Sequence, residues 1–182
     1  MDPDGAWGRS PFPDVLPEIA IHLNRSAIAI DPARRRAVLA FLYASRLEVM
    51  GTDGTSQRGI SGPAEIRLDY RTVNDPVEGI ERFIRTPATR YGYVSVIADD
   101  TRIYALFSGR SKGEWNENAI LADTLHVFAW SGELLGEWRL PKAVYSIALD
   151  AKAHKLYAVG PAPSPAIVEL DGALVLGRAT IR

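Results

Sequence analysis

The chain has 182 residues, 47% of them hydrophobic and 24% charged, which suits one globular unit able to bury a real core. Its 21 basic and 22 acidic residues leave a formal net charge of −1, so no basic excess draws it to phosphate backbones and nucleic acid is not expected as a partner. There is no cysteine, which removes disulfides and thiolate chemistry, and the longest apolar run, Ala37 to Ala44, is far short of the ~20 residues a membrane helix needs.

Residues 1–24 open with Met1-Asp2-Pro3-Asp4-Gly5-Ala6-Trp7, which has neither the basic nor the apolar stretch of a signal peptide. Pro3, Pro11, Pro13 and Pro17 predict an irregular lead-in. A first unit, with its crossover, is assigned to residues 25–90. It begins with the strand Ser26-Ala27-Ile28-Ala29-Ile30-Asp31, turns through a polar tip, and returns as Arg36-Ala37-Val38-Leu39-Ala40-Phe41. A third strand, Leu47 to Met50, runs into Asp53-Gly54, a pair suited to a tight hairpin because glycine takes positive φ without steric cost. Helical periodicity is weak throughout; at most a short helical turn is expected at Val77 to Ile84, after Asp75-Pro76.

The same grammar returns twice. Residues 91–143 give Val94-Ser95-Val96-Ile97-Ala98-Asp99, then Arg102-Ile103-Tyr104-Ala105-Leu106-Phe107, then Leu125 to Trp130 before Ser131-Gly132, then Leu134 to Leu140. Residues 144–182 give Tyr145-Ser146-Ile147-Ala148-Leu149-Asp150, then Lys155 to Gly160, then Ile167 to Leu170 before Asp171-Gly172, then Ala173 to Ile181. Units of four antiparallel strands that repeat an aspartate, a basic strand start and a small-residue turn in order are the signature of propeller blades. The first strand of each unit is apolar on both faces, as an innermost strand between neighbouring blades must be. The fold class is therefore all-β, a β-propeller, with about three four-stranded blades. An open stack of three leaves two sheet faces uncovered, so a homodimer completing six blades is expected.

Ile103-Tyr104-Ala105-Leu106-Phe107-Ser108-Gly109-Arg110, followed by Leu125-His126-Val127-Phe128-Ala129-Trp130-Ser131-Gly132, resembles the TolB-like six-bladed propeller domains of bacterial proteins. There a phrase like IYALYSGR precedes a loop and then a VFDWDG-like strand and turn. The resemblance covers roughly residues 26 to 175 and is sharpest over 102–172. It implies that the chain is the C-terminal half of a six-bladed propeller, in a family whose members are often exported. It implies no chemistry for any particular residue.

In a blade, the loop between the second and third strands and the crossover to the next blade open on one face, where ligands usually bind. That loop is short in the first unit (Tyr43 to Arg46) and the third (Pro161 to Pro165), but spans sixteen residues, Gly109 to Thr124, in the second. A loop so long is uncommon in a compact domain without a function. Arg110, Trp115, Asn116 and Asp123 are its candidate ligand contacts: the guanidinium can grip a carboxylate or phosphate, and the indole can stack on a ring. The competing structural reading has Arg110 pairing with Asp123 to pin the loop, with Trp115 capping the blade edge.

The remaining features read as structural. Asp31, Asp99 and Asp150 sit at strand ends before turns, which fits side-chain capping of the turn rather than a carboxylate cluster. Arg34-Arg35-Arg36 reads as a solvated hairpin tip, and Tyr104, Phe107, Phe128 and Trp130 as packing between blades. His22, His126 and His154 have no partner at ligand spacing, so no metal site is expected, and no nucleophile–base motif supplies catalytic residues. No cofactor is expected. The leading expectation is a non-catalytic module that binds an unknown protein or small molecule on its loop face. The alternatives are a hydrolase or lyase whose site lies partly in further blades, and a truncated product without an independent role.

Overall fold

The computed structural model describes residues 10–54, 57–150, 152–153, 155–161 and 166–170. The expected turn at Asp171-Gly172, the strand Ala173 to Ile181, most of the loop Pro161 to Pro165, and His154 lie outside them.

The first departure comes before the blades. Within the stretch expected to be irregular, α1 (Pro17–Leu23) forms two turns of helix. Pro17 opens it, where a missing N–H costs nothing, and Ile19 and Leu23, four residues apart, are buried on one side. Two apolar positions are too few to announce a helix in a proline-rich sequence.

The first sheet contains β1 (Ser26–Asp31), β2 (Arg36–Phe41), β3 (Arg46–Gly51) and β4 (Gln57–Ser61), hydrogen-bonded in that order and antiparallel throughout. A two-stranded hairpin follows, β5 (Tyr70–Asp75) and β6 (Ile80–Arg85), where a helical turn was the expectation. The reason is local. The Asp75 carboxylate accepts hydrogen bonds from the backbone N–H of Val77 at 2.9 Å and of Glu78 at 3.2 Å, and Gly79 takes φ +68°. The chain therefore reverses at the point where a helix would have had to start. Phe83 then packs its ring on Tyr70, Tyr43 and His22, which holds the hairpin against α1.

The second sheet contains β7 (Tyr93–Ala98), β8 (Arg102–Phe107), β9 (Ala122–Ala129) and β10 (Leu134–Val144), again in chain order. The third shows β11 (Ser146–Asp150), β12 (Lys155–Gly160) and β13 (Ala166–Leu170). Its first strand opens at Ser146, one residue after the expected Tyr145, and β10 continues far enough to pair Val144 with Ala122. The innermost strands β1, β7 and β11 lie next to one another, the arrangement of consecutive propeller blades.

Strand alternation divides the second sheet between two cores. Ile103, Ala105 and Phe107 of β8, with Phe128 of β9, pack toward the first sheet on Val38, Ala40, Leu47 and Ile60. Tyr104 and Leu106 of β8, with Leu125 and Val127 of β9, pack toward the third on Ile147, Leu156 and Ala158. A strand such as Ile103 to Phe107 is apolar at every position because successive side chains enter different cores. At the outer face of the first sheet the pattern is one-sided. Ala27 and Ala29 are turned to the second sheet, whereas Ile28 and Ile30 are 57% and 55% exposed.

Candidate ligand-binding site

The two ends of the stack are built differently. At the turn end, the recurring aspartates cap their turns. The Asp31 carboxylate accepts from the backbone N–H of Arg34, Asp99 from those of Thr101 and Arg102, and Asp150 from those of Lys152 and Ala153. Burial alone would raise the Asp99 carboxyl. Hydrogen bonds from the Thr101 backbone and hydroxyl, the Tyr104 hydroxyl and the Arg102 backbone outweigh it and hold the group below the ordinary carboxylate value. These aspartates are committed to shape.

Arg36 corrects the reading of Arg34-Arg35-Arg36 as a solvated tip. Its guanidinium pairs with Asp31 at 2.9 Å, donates to the Asp100 carbonyl at 2.7 Å and lies 3.8 Å over the Trp130 ring. Trp130 in turn donates its indole N–H to the Asp99 carbonyl at 2.9 Å. A basic strand start thus fastens the first sheet to the second.

At the loop end, the long segment Gly109 to Thr124 is held on every side. It contains a single helical turn, α2 (Lys112–Trp115), and a 3₁₀ turn, Asn116–Ile120. The Ser111 hydroxyl accepts from the Glu114 N–H and donates to its carboxylate at 2.7 Å, a capping arrangement that occupies the start of the turn. Lys112 and Gly113 donate backbone hydrogen bonds to Thr89 and Pro87, and the Ser108 hydroxyl donates to the Ala119 carbonyl at 2.6 Å. Of the four candidate contacts, three come together. Arg110 is 12% exposed, pairs with Asp123 at 3.1 Å and lies 4.1 Å under the Trp115 ring, while Asp123 also takes Arg139 at 3.3 Å. Asn116 takes φ +49° at the end of the helical turn and is exposed. Trp115 is 46% exposed, so its outer ring face borders solvent.

Beside this shelf, at the mouth between the innermost strands, lies a cavity of about 300 Å³. Arg25, Ser26 and Ala27 contribute from the start of β1, Tyr93 and Val94 from the start of β7, and Tyr145 from the residue before β11. Leu42 and the long loop's Ile120 complete the wall. The first two blades are joined here by the Gly92 N–H to the Leu42 carbonyl at 2.6 Å, while Leu42 N–H to the Arg25 carbonyl and Ser108 N–H to the Gly92 carbonyl extend the ladder within each sheet. Gly92 has no room for a side chain, because a Cβ would fall on the Ala44 carbonyl. Arg25 is exposed and makes no ion pair among the described residues; beside it is the buried Tyr43 phenol, whose pKa burial pushes up. Sequence reasoning named the loop but missed this mouth. The available signal was the repeat itself, since Arg25-Ser26, Gly92-Tyr93 and Val144-Tyr145 each lie at the start of an innermost strand or just before it.

Behind the mouth, Tyr93 runs between the first two sheets. Its hydroxyl meets His126 Nδ1 at 3.0 Å, and His126 Nε2 meets the Glu137 carboxylate at 3.1 Å. Phe107 stacks on the imidazole at 5.0 Å between ring centres, and His126 is 1% exposed. Burial holds the imidazole below its ordinary pKa, with Glu137 opposing, so it is neutral at pH 7. Among the described residues, no group of three or more His, Cys, Asp or Glu side chains is placed to hold a metal ion.

A TolB-like 6-blade propeller-like family matches residues 10–152. Among solved structures, the chain is similar to the β-propeller domain of Cps50 (Swd1) from Myceliophteria thermophila, at 9% identity and a TM-score of 0.31. That match covers 74% of this chain and 48% of the other, so the chain spans about half the length of that domain. No curated protein matches. With its repeated Asp-capped turns, its sheets of consecutive antiparallel strands and most of its length matched, the chain belongs to the TolB-like six-blade propeller-like family.

Proposed function

We propose that the protein is a non-catalytic binding module whose ligand enters the mouth between the innermost strands on the loop face. The observation that carries this reading is the cavity of about 300 Å³ at Ser26, Tyr93 and Tyr145, within the size range of small-ligand sites and mostly apolar with a few polar groups. In this reading the long loop supplies one wall through Ile120 and a rim through the exposed faces of Trp115 and Asn116. Arg110 and Asp123 act by bracing that rim. The test is a fragment screen followed by ¹⁵N–¹H correlation NMR. Shifts clustered at Ser26, Ala27, Val94, Ile120 and Tyr145 are expected; clustering at the turn end, or no site-specific shifts, would refute the assignment.

We also propose that a second copy covers the outer face of the first sheet. Ile28 and Ile30 lie on the side away from the second sheet, where a neighbouring blade sits within a ring. Two copies joined head-to-tail give the six blades named in the family description. Sedimentation equilibrium is expected to give twice the 19.9 kDa chain mass, and a monomer with sharp cooperative unfolding would rule this arrangement out.

A further inference from the structure

We propose that the mouth selects a small organic anion, a carboxylate on an apolar or aromatic body, with Arg25 as the residue that recognises its charge; this rests on the binding reading above. Three observations combine. Among the described residues, Arg25 is the charged side chain of the cavity lining, and no carboxylate lines the cavity to compensate it. The Tyr43 phenol beside it is neutral and leaves that charge unspent. None of the other loop-face arginines lines this cavity: Arg110 is paired with Asp123 and stacked on Trp115, while Arg85 and Arg90 donate to neutral partners elsewhere, the Tyr91 hydroxyl at 2.7 Å and the Gly109 carbonyl at 2.9 Å.

The rest of the lining matches the other half of such a ligand. Leu42, Val94 and Ile120 form an apolar wall, and Ile120 stays 39% exposed although it faces the mouth. Ser26 and Tyr145 add neutral hydroxyls that donate to a carboxylate oxygen without repelling it. A guanidinium forms two parallel N–H···O bonds to one carboxylate, so it discriminates against an amide or an amine of the same shape. A cation at this mouth would instead meet an uncompensated positive charge.

The experiment uses three probes of one shape, 3-phenylpropionate, 3-phenylpropanamide and 3-phenylpropylamine, titrated into the full chain by NMR. The carboxylate is expected to bind at least tenfold more tightly than the other two, with shifts centred on Ser26, Val94 and Tyr145. The Arg25→Gln variant is expected to lose that preference while its urea midpoint stays unchanged, and Tyr145→Phe is expected to weaken carboxylate binding by a few fold. If amide and carboxylate bind the mouth equally, or if Arg25→Gln keeps the tenfold preference, the anion inference is overturned while the binding site stands. If all three probes leave the mouth residues unmoved, both are overturned.

Discussion

The loop face holds two arginines in opposite conditions. Arg110, on the sixteen-residue loop that the sequence makes conspicuous, is nearly buried, paired and stacked. Arg25, in an unremarkable position one residue before an innermost strand, is exposed and carries a charge that no carboxylate answers among the described residues. The difference separates two reasons for a residue to be present. A long loop on a rigid scaffold must first satisfy its own backbone and fix its own side chains, and its charged residues are the means. The mouth is fixed by the strands themselves, so a charge there is left over for something else.

The largest expected effect breaks the mouth itself. Gly92→Ala places a methyl on the Ala44 carbonyl and pushes apart the Gly92–Leu42 backbone hydrogen bond that joins the first two sheets. A loss of about 3 kcal/mol or more is expected in urea unfolding. Gly79→Ala is the control: its Cβ meets nothing within 4 Å, and only the positive φ opposes it, so ~1–2 kcal/mol is expected. Equal losses would mean that the mouth is not a packed junction.

Next in size, the two arginines are expected to separate by stability. Arg110→Ala leaves Asp123 half-buried with the exposed Arg139 as its remaining ion-pair partner and removes the cation under Trp115. A cost of about 1–3 kcal/mol, between those of exposed and buried pairs, is expected. Arg25→Ala is expected to fall within about 0.5 kcal/mol of the parent, as exposed positions do. Comparable costs for both would erase the contrast between brace and binder.

The smallest effect concerns the wall behind the mouth. The folded-state pKa of His126 lies below its ordinary 6.5, so the unfolded chain binds more protons between those two values. Stability is therefore expected to fall as pH drops from about 7 through that window, before Asp31 and Asp99, both held below the ordinary carboxylate value, begin to protonate. His126→Gln is expected to flatten this part of the profile of urea midpoint against pH. An unchanged slope would show that the pKa of His126 does not differ between the folded and unfolded chain.

The blades were legible because three columns repeat: the aspartate at a strand end, the basic start of the next strand and the glycine turn. Each column has a physical job, since Asp31, Asp99 and Asp150 cap turns and Arg36 fastens one blade to the next. The hairpin Tyr70–Asp75 with Ile80–Arg85 escaped notice although Asp75 caps its turn in the same way. Its strands are largely exposed and lack the doubly apolar pattern of a blade interior, so periodicity gave no strand signal. Helix α1 escaped for the converse reason, as two buried residues cannot outvote the prolines around them. The pairing of Arg110 with Asp123 was one of two readings open to the sequence. The mouth was not legible, because it is formed by residues from three repeats that meet only when the blades stack.

The central claim, that Arg25 is the available cation and Arg110 the committed one, can be tested directly by modification with phenylglyoxal, an arginine-selective reagent, followed by peptide mapping of the folded chain. Arg25 is expected to react early and to be protected by 3-phenylpropionate, while Arg110 reacts among the slowest and is unaffected by the probe. Arg110 reacting as fast as Arg25, with neither protected, would contradict the account.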